Sequence, residues 1–183
     1  MSPIFEAFNS TVSIHSLIHD INRRLSAMRD VAAYKAENNL PVEDLDRERK
    51  VLFLSQKEAE NAGLDPQSAL PYVQAQINVA KAIQYRYMAE WLSLPRKPGN
   101  HKRLDEVRNI ISDLDKNIIN TISNKLTTGG FTVEDNSLIF LYLQTSHLTD
   151  ADKRLIINSL DLIIRVISTN SDLHPVGLKT MNG

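Results

Sequence analysis

At 183 residues, 42% hydrophobic and 23% charged, the chain has the size and composition of one globular domain or two small halves. A formal net charge of −1 excludes a global field that would draw it to nucleic acid or to an anionic membrane, although a local cluster of cations could still hold a small anion. With no cysteine, disulfides and thiolate metal centres are excluded, and no apolar run reaches the ~20 residues that cross a bilayer.

Glycine occurs only six times and β-branched alternation is scarce, so the expected class is all-α. Met1 to Ser10 lack a basic start and a long apolar core, so no signal peptide is expected in this chain; a processed mature chain would look the same. The first helix is expected to open near Thr11 or Ser13. Ile14, Leu17, Ile18, Ile21, Leu25, Met28, Val31 and Ala32 then recur at spacings of three and four. It should stop near Asn38 and Asn39, because the residue before Pro41 avoids helical dihedrals. Arg24 and Lys35 are eleven residues apart, which puts both cations on one stripe of that helix, about 16 Å from each other. Apolar residues flank that stripe, and cations on a core-facing side are costly unless an anion meets them.

A second helix is expected from Val42 or Asp44 to Ala62, with Leu45, Val51, Leu52 and Leu54 as its apolar side and Gly63 as a left-handed cap. Asp65-Pro66 reads as cap and first residue of a third helix. Pro71 predicts a short opening turn with a restart near Ala69, after which Val73, Ile77, Ala80, Ile83, Tyr87 and Trp91 carry the helix to Leu92. Leu94-Pro95-Arg96-Lys97-Pro98-Gly99-Asn100 cannot continue a helix and reads as a linker. Three further helices are expected. The first, 101–126, has a stripe of Leu104, Val107, Ile110, Ile111, Leu114, Ile118 and Ile122, and Thr127-Thr128-Gly129-Gly130 ends it. The second, 132–145, carries Leu138, Ile139, Leu141 and Tyr142. The third opens on the N-cap Thr149, with Asp150 and Asp152 in its first turn, and runs through Leu155, Ile156, Leu160, Ile163, Ile164 and Ile167. The expected architecture is a six-helix, bundle-like fold: helices over 10–95, a linker at 96–100, a helical half at 101–170 and a tail at 171–183.

Several polar residues share faces with apolar ones. Arg24 and Lys35 do so on the first helix, and Asp44, Arg47 and Glu48 stand within one turn of the second. Gln84 lies one turn after Ala80 on the third, and Arg108 lies beside Val107 and Ile111 on the fourth. Taken singly, a run such as Asp44-Leu45-Asp46-Arg47-Glu48-Arg49 reads as a solvated face with helical ion pairs. Taken together, converging faces would build a pocket of four cations, a carboxylate and an amide, suited to a small dianion.

The offsets carry a resemblance. Arg24, ten residues, Lys35, five residues, Pro41-x-x-Asp44-x-x-Arg47-Glu48, and then Gln84 is similar to the all-helical chorismate mutases, most specifically in Leu40-Pro41-Val42-Glu43-Asp44-Leu45-Asp46-Arg47-Glu48-Arg49. Gln76-Ile77-Asn78-Val79-Ala80-Lys81-Ala82-Ile83-Gln84-Tyr85 resembles the exported subclass, which adds a C-terminal helical half to three catalytic helices. The likeness covers residues 10–93 closely and 101–170 by layout and one arginine.

It implies that Arg24, Arg47 and Arg108 bind substrate carboxylates, with Arg108 supplied by the same chain just after the linker. It implies that Lys35 and Gln84 meet the ether oxygen as the catalytic pair, that Glu48 holds the substrate hydroxyl, and that Asp44 lines the site in support. Ala80 departs from the pattern: many members have a small hydroxyl residue there, so one side-chain hydrogen bond to a carboxylate would be missing. The implied activity is the rearrangement of chorismate to prephenate without cofactor or metal. Because a neutral amide donates without needing a proton, no acidic optimum is expected. The resemblance further implies a homodimer and a periplasmic or secreted location. A lyase acting on isochorismate and a non-catalytic helical binding module, its cations paired with Asp44, Asp46 and Glu48, are the competing readings.

Other signals are weak. His15 and His19 have the spacing of a zinc pair but lack the glutamate of the protease motif, and Thr127-Thr128-Gly129-Gly130 lacks the lysine of a phosphate loop. Asn9-Ser10-Thr11 fits a glycosylation acceptor only in a eukaryotic secretory route. The basic residues Arg96, Lys97, Lys102 and Arg103 read as a solvated loop.

Overall fold

A computed structural model of the chain describes residues 3–94 and 99–166, with side chains from residue 13 onward. Seven helical segments follow in order: α1 (Pro3–Ser26), α2 (Met28–Glu37), α3 (Leu45–Asn61), α4 (Pro66–Ser93), α5 (Leu104–Thr127), α6 (Val133–Tyr142) and α7 (Asp150–Leu160). The first two are nearly one rod. Ala27 between them keeps helical dihedrals, and its N–H donates to Arg23 O while its carbonyl accepts from Val31 N–H. Six rods therefore result, and the fold is all-α, as the periodicity led us to expect. The first rod begins at Pro3, ahead of the expected opening at Thr11 or Ser13. It ends as expected: Asn38 is the C-cap, Asn39 turns left-handed at φ 53°, and Leu40 N–H closes on Lys35 O at 2.8 Å.

The core forms along the predicted stripes. Ile14, Leu17, Ile21 and Leu25 of α1 are fully buried, and α1 lies along α5, which contributes Leu114, Ile118 and Ile122. α4 packs against α2, α3 and α7 and buries Val73, Ile77, Ala80 and Ile83. It runs unbroken through Pro71, with no restart at Ala69. Pro71 sits exposed in the second turn, where its missing N–H removes one hydrogen bond without blocking a packed face.

On α3 the expected apolar side is only partly right. Val51 and Leu52 are half-buried, but Leu45 and Leu54 are exposed, and the buried face is made by Ser55 and Ala59. Small residues there let α3 approach α4 closely. Leu141, Tyr142 and Leu155 are likewise exposed, while Leu138 and Ile139 pack inward.

The last helix stops at Leu160, short of the expected Ile164 and Ile167. Residues 163–166 are extended instead. Ile164 O accepts from Asp65 N–H at 2.9 Å and Val166 N–H donates to Gly63 O at 3.0 Å, forming an isolated antiparallel bridge between Leu64 and Arg165. β-branched residues crowd Ile163-Ile164-Arg165-Val166, and that composition favours extension over helix. Gly63 has φ +75°, and a Cβ there would come 3.1 Å from Arg165 Nη2, so both conformation and space call for glycine. The linker prolines 95 and 98, and Ile167 with the tail, lie outside the described residues.

Candidate active site

One pocket gathers Arg24, Lys35, Asp44, Arg47, Glu48, Ala80, Gln84 and Arg108, the residues that the resemblance implied for a site. Arg24 reaches it from α1, Met28, Val31 and Lys35 from α2, Asp44, Arg47, Glu48 and Val51 from the start of α3, Ile77, Ala80, Lys81 and Gln84 from α4, and Arg108 and Ile111 from α5. Its empty volume is about 610 Å³ with the open mouth included.

The local sequence explains the convergence. The first rod ends at Glu37, ahead of Pro41, and Asp44 then caps α3 by accepting the N–H of Arg47 at 3.1 Å. That cap sets the first turn of α3, so Arg47 and Glu48 face the same hollow as Lys35. On α4 the spacing of four places Ala80 and Gln84 one above the other. Ile77, Val31 and Ile111 supply the apolar wall between the charges.

The cations differ in what holds them. Arg24 is buried, at 4% exposure; its Nε donates to Asp115 Oδ1 at 2.6 Å and its Nη1 to Gln76 Oε1 at 3.3 Å. Gln76 in turn donates to the buried Tyr72 hydroxyl at 2.7 Å. Lys35, at 5% exposure, donates to the carbonyl of Val42 at 2.6 Å. Burial pushes its ammonium below the usual lysine range, with Arg108 adding to the effect and Asp44, Glu43 and Glu48 opposing it. Arg108 Nη2 donates to Asp44 Oδ2 at 2.8 Å. Burial alone would raise the Asp44 carboxyl, but the Arg47 N–H, Arg108 and Lys35 hold it below the ordinary aspartate value. Among the described residues, the Arg47 guanidinium meets no hydrogen-bond or ion-pair partner. Its own burial and the neighbouring Arg108 and Arg24 disfavour its charge, although Asp115 and Asp44 offset part of this.

Two acceptors are left over. Glu48 Oε1 and Gln84 Oε1 are buried without a donor. The amide nitrogen of Gln84 donates to Ala80 O at 3.1 Å and lies 3.6 Å from Met28 Sδ. A thioether is a weak acceptor, so that second N–H can be drawn off by a better oxygen in the pocket.

Five cations thus face two carboxylates in the pocket wall, with a third carboxylate, Asp115, behind Arg24. The excess is positive although the chain as a whole is not. Such a hollow suits a small dianion and negative charge that grows within it. Lys81 and Asp115 were not singled out from the sequence. Lys81 stands three residues before Gln84, and Asp115 seven after Arg108, spacings that put each near the right face; each otherwise reads as an ordinary helix-surface charge. His15 and His19 are both exposed, and no cluster of metal-ligating side chains forms among the described residues.

The chain is similar to known proteins. The family described as chorismate mutase type II matches residues 15–85. A protein of Enterobacter agglomerans named monofunctional chorismate mutase is 42% identical over 164 residues, which is 90% of this chain and 91% of that one. A secreted chorismate mutase of Yersinia pestis is 42% identical over 144 residues, 78% of this chain and 77% of that one. The crystal structure of the secreted Yersinia pestis enzyme superposes with a TM-score of 0.77 at 39% identity, covering 82% of this chain and 97% of that one. A chorismate mutase from Burkholderia thailandensis shares the fold at a TM-score of 0.69 and 19% identity, covering 81% and 98%.

Proposed function

The chain belongs to the type II chorismate mutase family and is a chorismate mutase; from that premise, we propose that the pocket between α1, α2, α3, α4 and α5 is its active site, with Lys35 and Gln84 as the catalytic pair. The observation that carries this reading is the surplus of cations in one hollow, with Arg24 and Lys35 buried and, among the described residues, the Arg47 guanidinium unpaired and Lys35 hydrogen-bonded to a carbonyl. A non-catalytic module with internally paired charges would have no such surplus. Asp46 points elsewhere and pairs with the exposed Arg49.

The reaction breaks an ether C–O bond and forms a C–C bond within one molecule, with no proton or electron exchanged with the enzyme. The pocket must therefore hold a flexible dianion so that the two reacting carbons meet. Arg24, Arg47 and Arg108 clamp its carboxylates. Glu48 accepts the ring hydroxyl through the oxygen left unfilled, and Asp44 steadies Arg108 at the site. As the ether bond lengthens, charge grows on its oxygen. The Lys35 ammonium and the second N–H of Gln84 meet that charge more strongly in the transition state than in the ground state. Ala80 offers no side-chain donor, so the carboxylate nearest to it depends on the arginines.

We further propose a homodimer, a division into catalytic helices (10–95) and a C-terminal half (101–170) that completes the site, and a periplasmic or secreted location. The last is supported by the relative that is named secreted. The test of the site is to supply chorismate or isochorismate to the wild-type chain and to Arg47→Ala. Prephenate formed from chorismate by the wild type and lost in the variant supports the pocket. Full activity in the variant sinks it, and pyruvate from isochorismate would point to the lyase reading. Fractionation of producing cells tests the location.

A further inference from the structure

The reading above leaves Lys81 without a role, although its side chain forms part of the pocket wall. Lys81 follows Ala80 on α4, and its Nζ lies 3.1 Å from Glu48 Oε2 on α3. Both side chains are largely shielded, at 24% and 17% exposure. The other carboxylate oxygen, Glu48 Oε1, is buried and has no donor.

These facts fit together. An ionised carboxylate only accepts hydrogen bonds, and it can turn about its last torsion. An ammonium fixed on one oxygen stops that rotation. The second oxygen then remains an acceptor with a set direction. A buried acceptor with no partner is costly, unless a ligand supplies the donor.

We propose that Lys81 is a positioning residue: it grips Glu48 Oε2 so that Oε1 is aimed at the ring hydroxyl of chorismate. This rests on the assignment of the hydroxyl to Glu48. The charge of Lys81 is engaged by Glu48, so it acts through the hydroxyl and not on the carboxylates of the substrate. In Lys81→Met the carboxylate turns freely and loses its preset direction.

The experiment uses two substrates: chorismate, and an analogue whose ring hydroxyl is replaced by hydrogen but which keeps the reacting ether and both carboxylates. Thermal melts confirm that each variant folds. Lys81→Met lowers kcat/KM for chorismate by about 10- to 100-fold, the scale of losing an oriented charge-assisted hydrogen bond. For the analogue the loss is several-fold smaller, because only the pocket's general attraction for a dianion is weakened. Lys81→Arg restores most of the chorismate activity, and Lys81→Met adds little in a Glu48→Gln background. An equal loss on both substrates would overturn the proposal, since Lys81 would then act on a carboxylate or on the fold. Glu48→Gln separates the two claims. If it too affects both substrates equally, the assignment of the hydroxyl to Glu48 fails. If it is selective for chorismate while Lys81→Met is not, only the role of Lys81 fails.

Discussion

At Lys35, burial and charge pull in opposite directions. Removing water lowers the affinity of the amine for its proton, and Asp44, Glu43 and Glu48 recover only part of the loss, so the group titrates below the ordinary lysine value of 10.5. Above its own pKa the group is neutral and cannot meet charge on the ether oxygen. A bound dianion raises the proton affinity again. The alkaline limb of kcat/KM, which reports the free enzyme, is therefore expected below pH 10.5, and the limb of kcat at higher pH. Profiles flat to that pH, or limbs that coincide, would take Lys35 out of contact with the substrate. Lys35→Ala should lose mainly turnover, by roughly 3 kcal/mol of barrier, the scale of removing one oxyanion donor. Steady-state kinetics would show this as a fall in kcat with KM little changed. The contribution of Lys35 to stability runs the other way. The unfolded lysine binds its proton more tightly, so stability rises with pH between the folded pKa and 10.5. These residues were legible because their offsets are long-range and specific. Asp115 was not, because its meaning lies in Arg24, ninety-one residues away in sequence.

At the scale of elements, the N-termini of α6 and α7 are built alike. Thr132 with Asp135, and Thr149 with Asp152, form capping boxes. Each aspartate also ties its helix to another: Asp135 to Lys125 of α5 at 2.8 Å, and Asp152 to Arg86 of α4 at 2.6 Å. Burial would raise both carboxyls, but the cations and cap N–H groups more than offset it, so both lie below the ordinary aspartate value of 3.8. Groups with depressed folded pKa values stabilise the fold above the unfolded value, and that stability is lost as pH falls through the folded one. The melting temperature should hold steady from neutral pH down to about 4 and then fall. Asp152→Asn should cost about 1 to 2 kcal/mol at pH 7, with Arg86 partly screened by water, and should flatten part of the acid decline. A variant that melts like wild type at both pH 7 and pH 3 would remove Asp152 from the account. The Thr149 cap was readable because a threonine followed three residues later by aspartate states its own geometry. The exposure of Leu45 and Leu54 was not, because hydrophobicity gives a residue's preference while the neighbouring helix decides which face is covered. The return of residues 163–166 to Gly63 was missed because helical periodicity ran on through Ile163 and Ile164, while the bridge partner lies about a hundred residues earlier.

At the scale of the whole molecule, α5 laid along α1 brings Arg108 and Asp115 to the cations of the first rod, so that one chain by itself supplies Arg24, Arg47, Arg108, Lys35 and Gln84. With those five proposed groups in one chain, a homodimer, as proposed, is not needed to supply them. The activity per chain should stay constant when the protein is diluted through any dissociation of the dimer, provided each monomer stays folded. The measurement is kcat and kcat/KM across a dilution series, with sedimentation and a melting curve at the same concentrations. A loss of kcat that follows dissociation while the melt is unchanged would mean that the partner completes the site. The positive pocket on a chain of net charge −1 adds a second expectation to the same series. Salt should lower kcat/KM by screening the dianion during its approach and capture, and should leave kcat, set inside the shielded hollow, far less changed. The salt response should then be the same for monomer and dimer, because the charges that produce it lie within one chain.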